Sequence, residues 1–568
     1  MMKKTTCFIL TAFVAGCQII SAQSNKNDTI ARRSVVIERD YVPTVKNVNK
    51  LEISPVITEP EIKKSEVNYS EQVPLLKPDY EVNKWPAAAI HLTQNSYKKG
   101  YALIGFGLYG TAMGDVFYPI VDDATQSLTF DTHIHGLFGN TQRQWITNFG
   151  LNYLTRLESF DLNVGAYFKR NGFNYYGVNS PYHYTATGNY KDSTNSFINF
   201  GLKAGIKSKG DAEAMAYRAD IQYNNLTPGT GLGEQLVHAS GNIDLPIAEH
   251  RIGLGIDDYN MIYSKYLGQQ LYPSYSVIGV NPYFNLKGED WNVRLGLKDY
   301  FSINGTGKSF YLMPDVAAQI DLIKTVTLYA GITGKYDVNS MQKITDENPY
   351  ISPITRVDDS YAPIEVFGGI KFSPLAGLLI DGSVDYTSYN KQYFYENQYI
   401  APSFEPLLYA NTLVSANYYQ QILLPTFGVL YDKVNLTTAK FNVGYNWKDK
   451  IFAHFNARYN SWSTKTLEKA WMKPATEIET GVEAKITRNV FVNANYYYGG
   501  GRSAYLGGLN SSVKMKDIND LSLGASYSYS DWLTAFIRLN NVMGTKYQTW
   551  YGYDSLGLNW QIGAAVSF

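Results

Sequence analysis

Two histidines stand two residues apart in Asp131-Thr-His133-Ile-His135. On a strand that spacing puts both imidazoles on one face, with the Asp131 carboxylate beside them. Such a set has the chemistry to ligate zinc. No further ligand clusters with it in the sequence, so His133 and His135 read as polar residues on a wet wall and not as a metal site. His454 and Arg458 share one face of a second segment, and Arg538 lies on a third. They fit the same description. A hydrolase would need a serine or acid set against one of the histidines, and nothing in the chain selects such a pair. Gly105-Phe-Gly107-Leu-Tyr-Gly110 has the letters of a dinucleotide loop but not its strand-to-helix setting, so these are strand glycines. The only cysteines are Cys7 and Cys17. An exported mature chain would therefore have no disulfide, no thiolate metal ligand and no thiol nucleophile. The expectation is a protein that is not an enzyme, with no catalytic residue, metal or cofactor.

Aromatic residues carry the better hint of binding. Tyr547, Trp550, Tyr551 and Tyr553 crowd one stretch, and Tyr393, Phe394, Tyr395 and Tyr399 another. Rings of this kind stack on sugars or grip peptide. They also line a membrane–water boundary or pack loops together. Tyr547, Trp550, Tyr551, Tyr553, Tyr393 and Tyr395 are the candidate loop contacts for a ligand. His133, His135, His454, Arg458 and Arg538 are the candidate polar residues of a lumen.

The elements that must position them are strands. The last eleven residues alternate, with Leu558, Trp560, Ile562, Ala564, Val566 and Phe568 opposite Asn559, Gln561, Gly563, Ala565 and Ser567. Phe160–Phe168, Val326–Thr333, Ile451–Tyr459, Leu521–Tyr529 and Leu533–Asn540 repeat the pattern. One face is apolar. The other carries amides and charges such as His454, Arg458 and Arg538, which a dry sandwich core would not accept unpaired. A closed barrel in lipid, apolar outside and hydrophilic within, accepts both faces. Tyr leads the aromatics with 48 residues, as suits strands and the edges of a membrane. No apolar stretch of about 20 residues beyond the N-terminal segment offers a spanning helix. Acidic and basic residues balance at 50 each, so no basic field invites nucleic acid.

Connections alternate as well. Short polar turns (Asp122–Ser127, Lys287–Asp290, Lys448–Lys450, Ser530-Asp531) separate longer aromatic loops near 177–193, 336–362, 391–435, 461–474, 499–518 and 541–557. Short periplasmic turns and long outer loops are the habit of outer-membrane barrels. Strands begin near 101, 113, 127, 144, 159, 195, 212, 233, 250, 273, 290, 308, 324, 363, 377, 436, 451, 475, 490, 519, 532 and 558. The expected fold is all-β: a transmembrane antiparallel β-barrel of about 22 strands with an extended N-terminal segment.

Lys3 and Lys4 before Cys7–Gly16, with Ser21-Ala22 after it, read as an export signal over 1–22. Cleavage after Ala22 is favoured over lipidation at Cys17. Residues 23–98 are charged and proline-punctuated without regular apolar period, an extended periplasmic or lumenal segment. Residues 99–568 are the barrel.

The run Phe536-Ile-Arg-Leu-Asn540-Asn541-Val-Met-Gly-Thr-Lys546-Tyr547-Gln-Thr-Trp550-Tyr551-Gly552-Tyr553 resembles the last hairpin of TonB-dependent receptors. The resemblance is close over roughly the last fifty residues and loose over 101–568. It implies an outer-membrane receptor or transporter. The departure is at the N-terminus, where the chain lacks the length and composition of the family's folded plug. Ser34–Glu38 is a poor coupling box, so energised import does not simply carry over. Expected partners are outer-membrane lipid, the barrel-assembly machinery through the strand ending at Phe568, and a periplasmic energising complex or surface lipoprotein. The competing expectation is a structural or envelope-biogenesis barrel that serves as a platform for protein partners.

Overall fold

The computed structural model describes residues 100–177, 194–210, 214–304, 307–400, 424–507 and 510–568. The export signal, the segment 23–98 with Ser34–Glu38, and the Tyr399 side chain lie outside the described residues.

The described chain is a closed antiparallel barrel of 22 strands. Strands that follow one another in the wall are hydrogen-bonded neighbours. The first, Tyr101–Gly107, closes the ring on the last, Asn559–Ser567, in a register that pairs Tyr101 with Ser567 and Gly107 with Gln561. Closure leaves no edge strand in the membrane, where an unpaired backbone group would meet no water. The foot of the seam is fixed by Gly100 and Phe568, whose backbones exchange hydrogen bonds of 2.8 and 3.0 Å.

The period of two sorts the side chains as the sequence predicts. Ile104, Trp560, Ile537, Val164 and Tyr459 face outward and are exposed, whereas Arg538, Gln561 and Thr333 face the lumen and are buried. Exposed Trp291, Trp447, Tyr529 and Trp532 lie at or beside the short turns and form one aromatic girdle. The turns are locally determined. In the first, the Asp123 carboxylate accepts from Thr125 N–H, Thr125 Oγ1 and Gln126 N–H at 2.7–2.8 Å. These bonds, the Thr125 hydroxyl's foremost, hold its pKa down at about 2.

Most strands start within a few residues of their predicted positions: Arg143, Phe160, Glu234, His250, Ile451, Val490, Leu533 and Asn559 among them. One hairpin differs. Leu378–Ile400 and Leu424–Trp447 are 23 and 24 residues long and pair from Leu378–Tyr445 to Ile400–Leu424. Much of the aromatic loop expected over 391–435 is therefore strand. Outside the lipid nothing forces apolar and polar residues to alternate, so this extension has no period to read. Two small hairpins, Ser503–Leu506 with Ser511–Lys514 and Gln548–Trp550 with Tyr553–Asp554, add strands outside the barrel wall.

A lid of loops as the candidate functional site

The loop between strands Val326–Asp337 and Ser360–Phe372 contains a helix, α1, over Met341–Glu347. A helix start leaves N–H groups without partners. Ser340 Oγ accepts from Lys343 N–H at 3.1 Å, a local cap. The N–H groups of Met341 and Gln342 instead donate to the Glu234 carboxylate, at 2.6 and 3.3 Å. Glu234 opens the strand Glu234–Ile247, so the barrel wall completes the cap.

The end of α1 is held by ion pairs. Lys169 Nζ meets Asp346 Oδ1 at 2.6 Å, and Lys473 Nζ meets Glu347 Oε1 at 2.7 Å. Tyr393 Oη donates to the other Glu347 oxygen at 2.6 Å. Lys169 belongs to the fifth strand of the barrel and Tyr393 to the fifteenth, so adjacent residues of one helix tie distant walls together. The long hairpin makes this possible. A bulge between Tyr389 and Gln392 interrupts its register. Beyond it Asn397 pairs with Leu506 and donates from Nδ2 to the Tyr551 carbonyl at 3.2 Å. These partners lie far around the ring, so the hairpin leaves the wall and folds over the mouth.

Residues 348–359 complete the crossing. Ser352 N–H donates to the Phe427 carbonyl at 2.7 Å, and Phe427 N–H to the Tyr350 carbonyl at 3.1 Å. Leu232 N–H donates to the Pro353 carbonyl at 2.8 Å, and Tyr272 Oη to that of Ile354 at 2.7 Å. Asp359 accepts from Tyr275 Oη and Tyr336 Oη, both at 2.8 Å. Burial raises its carboxyl pKa above the ordinary value, against the pull of those bonds.

Under and around this segment a hydrophobic core joins loops from all round the barrel. It includes Tyr175, Tyr176, Ile344, Tyr350, Tyr395 and Trp550. Tyr350 stacks on Tyr553 at 3.7 Å, and the Tyr395 ring meets Trp550 edge-on at 4.9 Å. Arg502, whose pKa burial lowers to about 10, donates to the carbonyls of Thr549 at 3.0 Å and Lys516 at 2.9 Å, stitching two of the loops.

Both aromatic stretches singled out in the sequence thus arrive at one place. Tyr393, Tyr395, Tyr547, Trp550 and Tyr553 are all buried, and Tyr551 is half-buried. They face the lid core and not solvent. Tyr547 Oη donates to Asp520 at 2.6 Å, and burial raises its pKa. The sequence reading missed Glu234, Glu347, Lys473, Tyr350 and Asp359, each of which acts through a partner distant in the chain.

The lumenal candidates fall into two groups. His133, paired with Asp115, lies near His135 and Arg538 beside the seam. His454 and Arg458 share a strand elsewhere, with Glu477 opposite Arg458. Further along the wall Arg294 Nε donates to Asp315 Oδ2 at 2.7 Å, and Lys440 pairs with Asp385. The inner wall therefore carries charges, several of them in ion pairs with a neighbour on the wall. Among the described residues no group of three or more His, Cys, Asp or Glu side chains converges to hold a metal.

No family model matches the chain, and no curated protein matches its sequence. The fold has solved counterparts. The ferric-catecholate import receptor Fiu of Escherichia coli K12 aligns with a TM-score of 0.59 at 9% identity, over 83% of this chain and 82% of that one. The ferric enterobactin receptor PfeA of Pseudomonas aeruginosa, in a doubly substituted form, gives 0.59 at 13%, over 83% and 80%. The siderophore receptor PirA of Acinetobacter baumannii gives 0.59 at 12%, over 83% and 80%. The chain shares with these siderophore receptors the fold of a large closed β-barrel.

Proposed function

We propose that this barrel, built on the fold of TonB-dependent siderophore receptors, is a gated receptor and transporter whose own loops close its outer mouth. The carrying observation is the lid over 338–359. It crosses the mouth above a charged lumen and is pinned at its start, middle and end by Glu234, Glu347 and Asp359. A wet lumen lined by polar and charged side chains suits passage of a polar solute, and a lid held by a handful of polar pins suits opening. Solute bound at the mouth would meet Tyr393, Tyr395, Tyr547, Trp550, Tyr551 and Tyr553 once the lid yields. His133, His135, His454, Arg458 and Arg538 would line its path.

In this reading residues 1–22 direct export and 23–98 either occupy the lumen or reach an energising partner in the periplasm. The strand ending at Phe568 would engage the assembly machinery, and a surface lipoprotein would sit over the lid. No catalytic step is involved. Single-channel conductance of the full chain and of a variant that lacks 23–98 and has 341–356 replaced by a short glycine–serine turn tests the proposal. Openings in either support transport, and silence in both counts against it.

A second reading, a sealed platform for envelope proteins, is favoured by one observation. The lid core is as apolar as a domain interior, with Ile344, Ile351, Tyr395 and Phe427 wholly buried. Silence in both variants would select it.

A further inference from the structure

One hairpin of the wall changes character on its outward face. Leu424–Trp447 and Ile451–Thr464 pair from Trp447 with Ile451 up to Val434 with Thr464. Every second residue of their upper parts is exposed: Phe441, Ala439, Thr437, Asn435 and Lys433 on one strand, Tyr459, Ser461, Ser463 and Lys465 on the other. Trp447 belongs to the girdle at the short turns, and exposed Tyr386 and Tyr459 stand at the far side of the apolar stretch as the opposite belt. Above that belt the outward residues of this hairpin are polar. Lys433 lies about 14 residues along its strand from Trp447, which at a rise of ~3.3 Å and a tilt of ~40° is roughly 35 Å of the membrane normal. The apolar band of such a barrel is ~25 Å tall, so Lys433 stands at the level of lipid headgroups.

The polar groups rise into a pair of ammonium groups. Ser461 stands opposite Thr437 and Ser463 opposite Asn435, and Ser388 Oγ donates to Asn435 Oδ1 at 2.9 Å from the neighbouring strand. One step higher the Lys465 N–H donates to the Lys433 carbonyl at 3.0 Å, so the two lysines are cross-strand neighbours. Like charges directly opposite repel. The backbone nonetheless fixes them there. Asp432, 6% exposed on the other face, accepts from the N–H groups of Lys433, Lys465, Thr466 and Leu467 at 2.8–2.9 Å. The carboxylate of Glu468 lies 3.4 Å from Lys469. Among the described residues neither Lys433 nor Lys465 has an ion-pair partner. Two exposed ammonium groups on a rigid mount have the chemistry to hold a phosphate.

We infer that the outward face of this hairpin docks a phosphorylated glycolipid of the surrounding outer leaflet, with Lys433 and Lys465 closing on one of its phosphates. The hydroxyls of Ser461 and Ser463 and the Asn435 amide meet the sugar below that phosphate. The acyl chains lie along the exposed Tyr459 and Phe441 in the apolar band. The lipid's charge relieves the repulsion between the two lysines, which is what a neutral headgroup cannot do. Docking takes place outside the wall whether or not the lid opens, so conductance results leave it untouched.

The test is native mass spectrometry of the full chain in detergent, titrated with a bisphosphorylated disaccharide glycolipid (lipid A) or with the same lipid stripped of its phosphates. Lipid A should bind roughly thirtyfold more tightly than the stripped form, the factor expected for two lysines at a membrane surface. Lys433→Gln with Lys465→Gln should weaken lipid A binding by about that factor. Lys265→Gln, in another outer loop, should leave it unchanged. Equal binding of the two lipids, or undiminished binding of lipid A by the double variant, overturns the assignment. Displacement of lipid A by an equimolar amount of inorganic phosphate also overturns it, since that marks a site for a free anion. Should the double variant fail to fold, as judged by loss of heat resistance, Lys465→Glu reads the same site with the same outcomes.

Discussion

Replacing Glu347 by leucine removes the carboxylate on which one end of the lid rests. In the intact protein Lys473 Nζ lies 2.7 Å from that carboxylate, and the two side chains are 10% and 7% exposed. The ammonium also lies 4.5 Å from the centre of the Tyr393 ring and 5.2 Å from that of Tyr395. Breaking a buried pair on one side strands the other charge, at about 3 kcal/mol or somewhat more. Because the pair joins the lid to the loop ahead of the strand Thr476–Lys485, the loss falls on docking of 338–359 and not on the barrel ladder. With 1.4 kcal/mol to each tenfold, the undocked population should rise roughly a hundredfold. Amide hydrogen exchange at Met341–Asn348 should accelerate by that factor while the strand amides keep their protection. The double variant Glu347→Leu, Lys473→Met should recover most of the difference, since no buried charge remains. Unchanged exchange at 341–348 in Glu347→Leu would refute the assignment of this pair as a pin.

Other outcomes follow from the same geometry. Trp550→Ala empties the centre of the lid core, at about 3–5 kcal/mol, and should make the loops protease-sensitive while the barrel keeps its resistance to heat. The Asp359 carboxyl has a raised pKa in the docked lid, so the docked state holds a proton that the undocked state releases. Docking should therefore tighten as pH falls from the raised value through the ordinary carboxylate range, and weaken as it rises again. Trypsin cleavage at Lys343 and Arg356 should slow on mild acidification, and Asp359→Asn should flatten that dependence. Asp432 accepts from the N–H groups of Lys465, Thr466 and Leu467 at 2.8–2.9 Å. Asp432→Ala should speed exchange at those amides and at Lys433, whose N–H also donates to Asp432 at 2.8 Å, leaving Met341–Asn348 unaffected.

The barrel was legible because lipid and water impose a period on every residue between them. Phe160, Ile451, Leu533 and Asn559 begin strands where the alternation begins. Where the chain leaves the membrane that constraint ends, and legibility ends with it. The helix Met341–Glu347 is too short to show an amphipathic stripe, and its cap comes partly from Glu234, more than a hundred residues earlier. The strand beyond Tyr389 looked like loop because its Tyr, Asn and Gln residues face other loops and not lipid. Tyr395 and Trp550 were recognised as members of two aromatic stretches. That the two form one core depends on contacts between loops far apart in sequence, which no local pattern records. The lumenal residues were found for the opposite reason. Arg538, His454 and Arg458 occupy the inner phase of strands whose outer phase is apolar, and the period alone identifies them.

The central claim is that the lid is what closes the mouth of a conducting barrel. Osmotic swelling of proteoliposomes tests it with four proteins: the full chain, one with 341–356 replaced by a short glycine–serine turn, one lacking 23–98, and one with both changes. Small sugars should enter poorly through the full chain and much faster when the lid is shortened, most of all when both changes are combined. No entry through the doubly altered barrel, properly folded by its resistance to heat, would contradict the account.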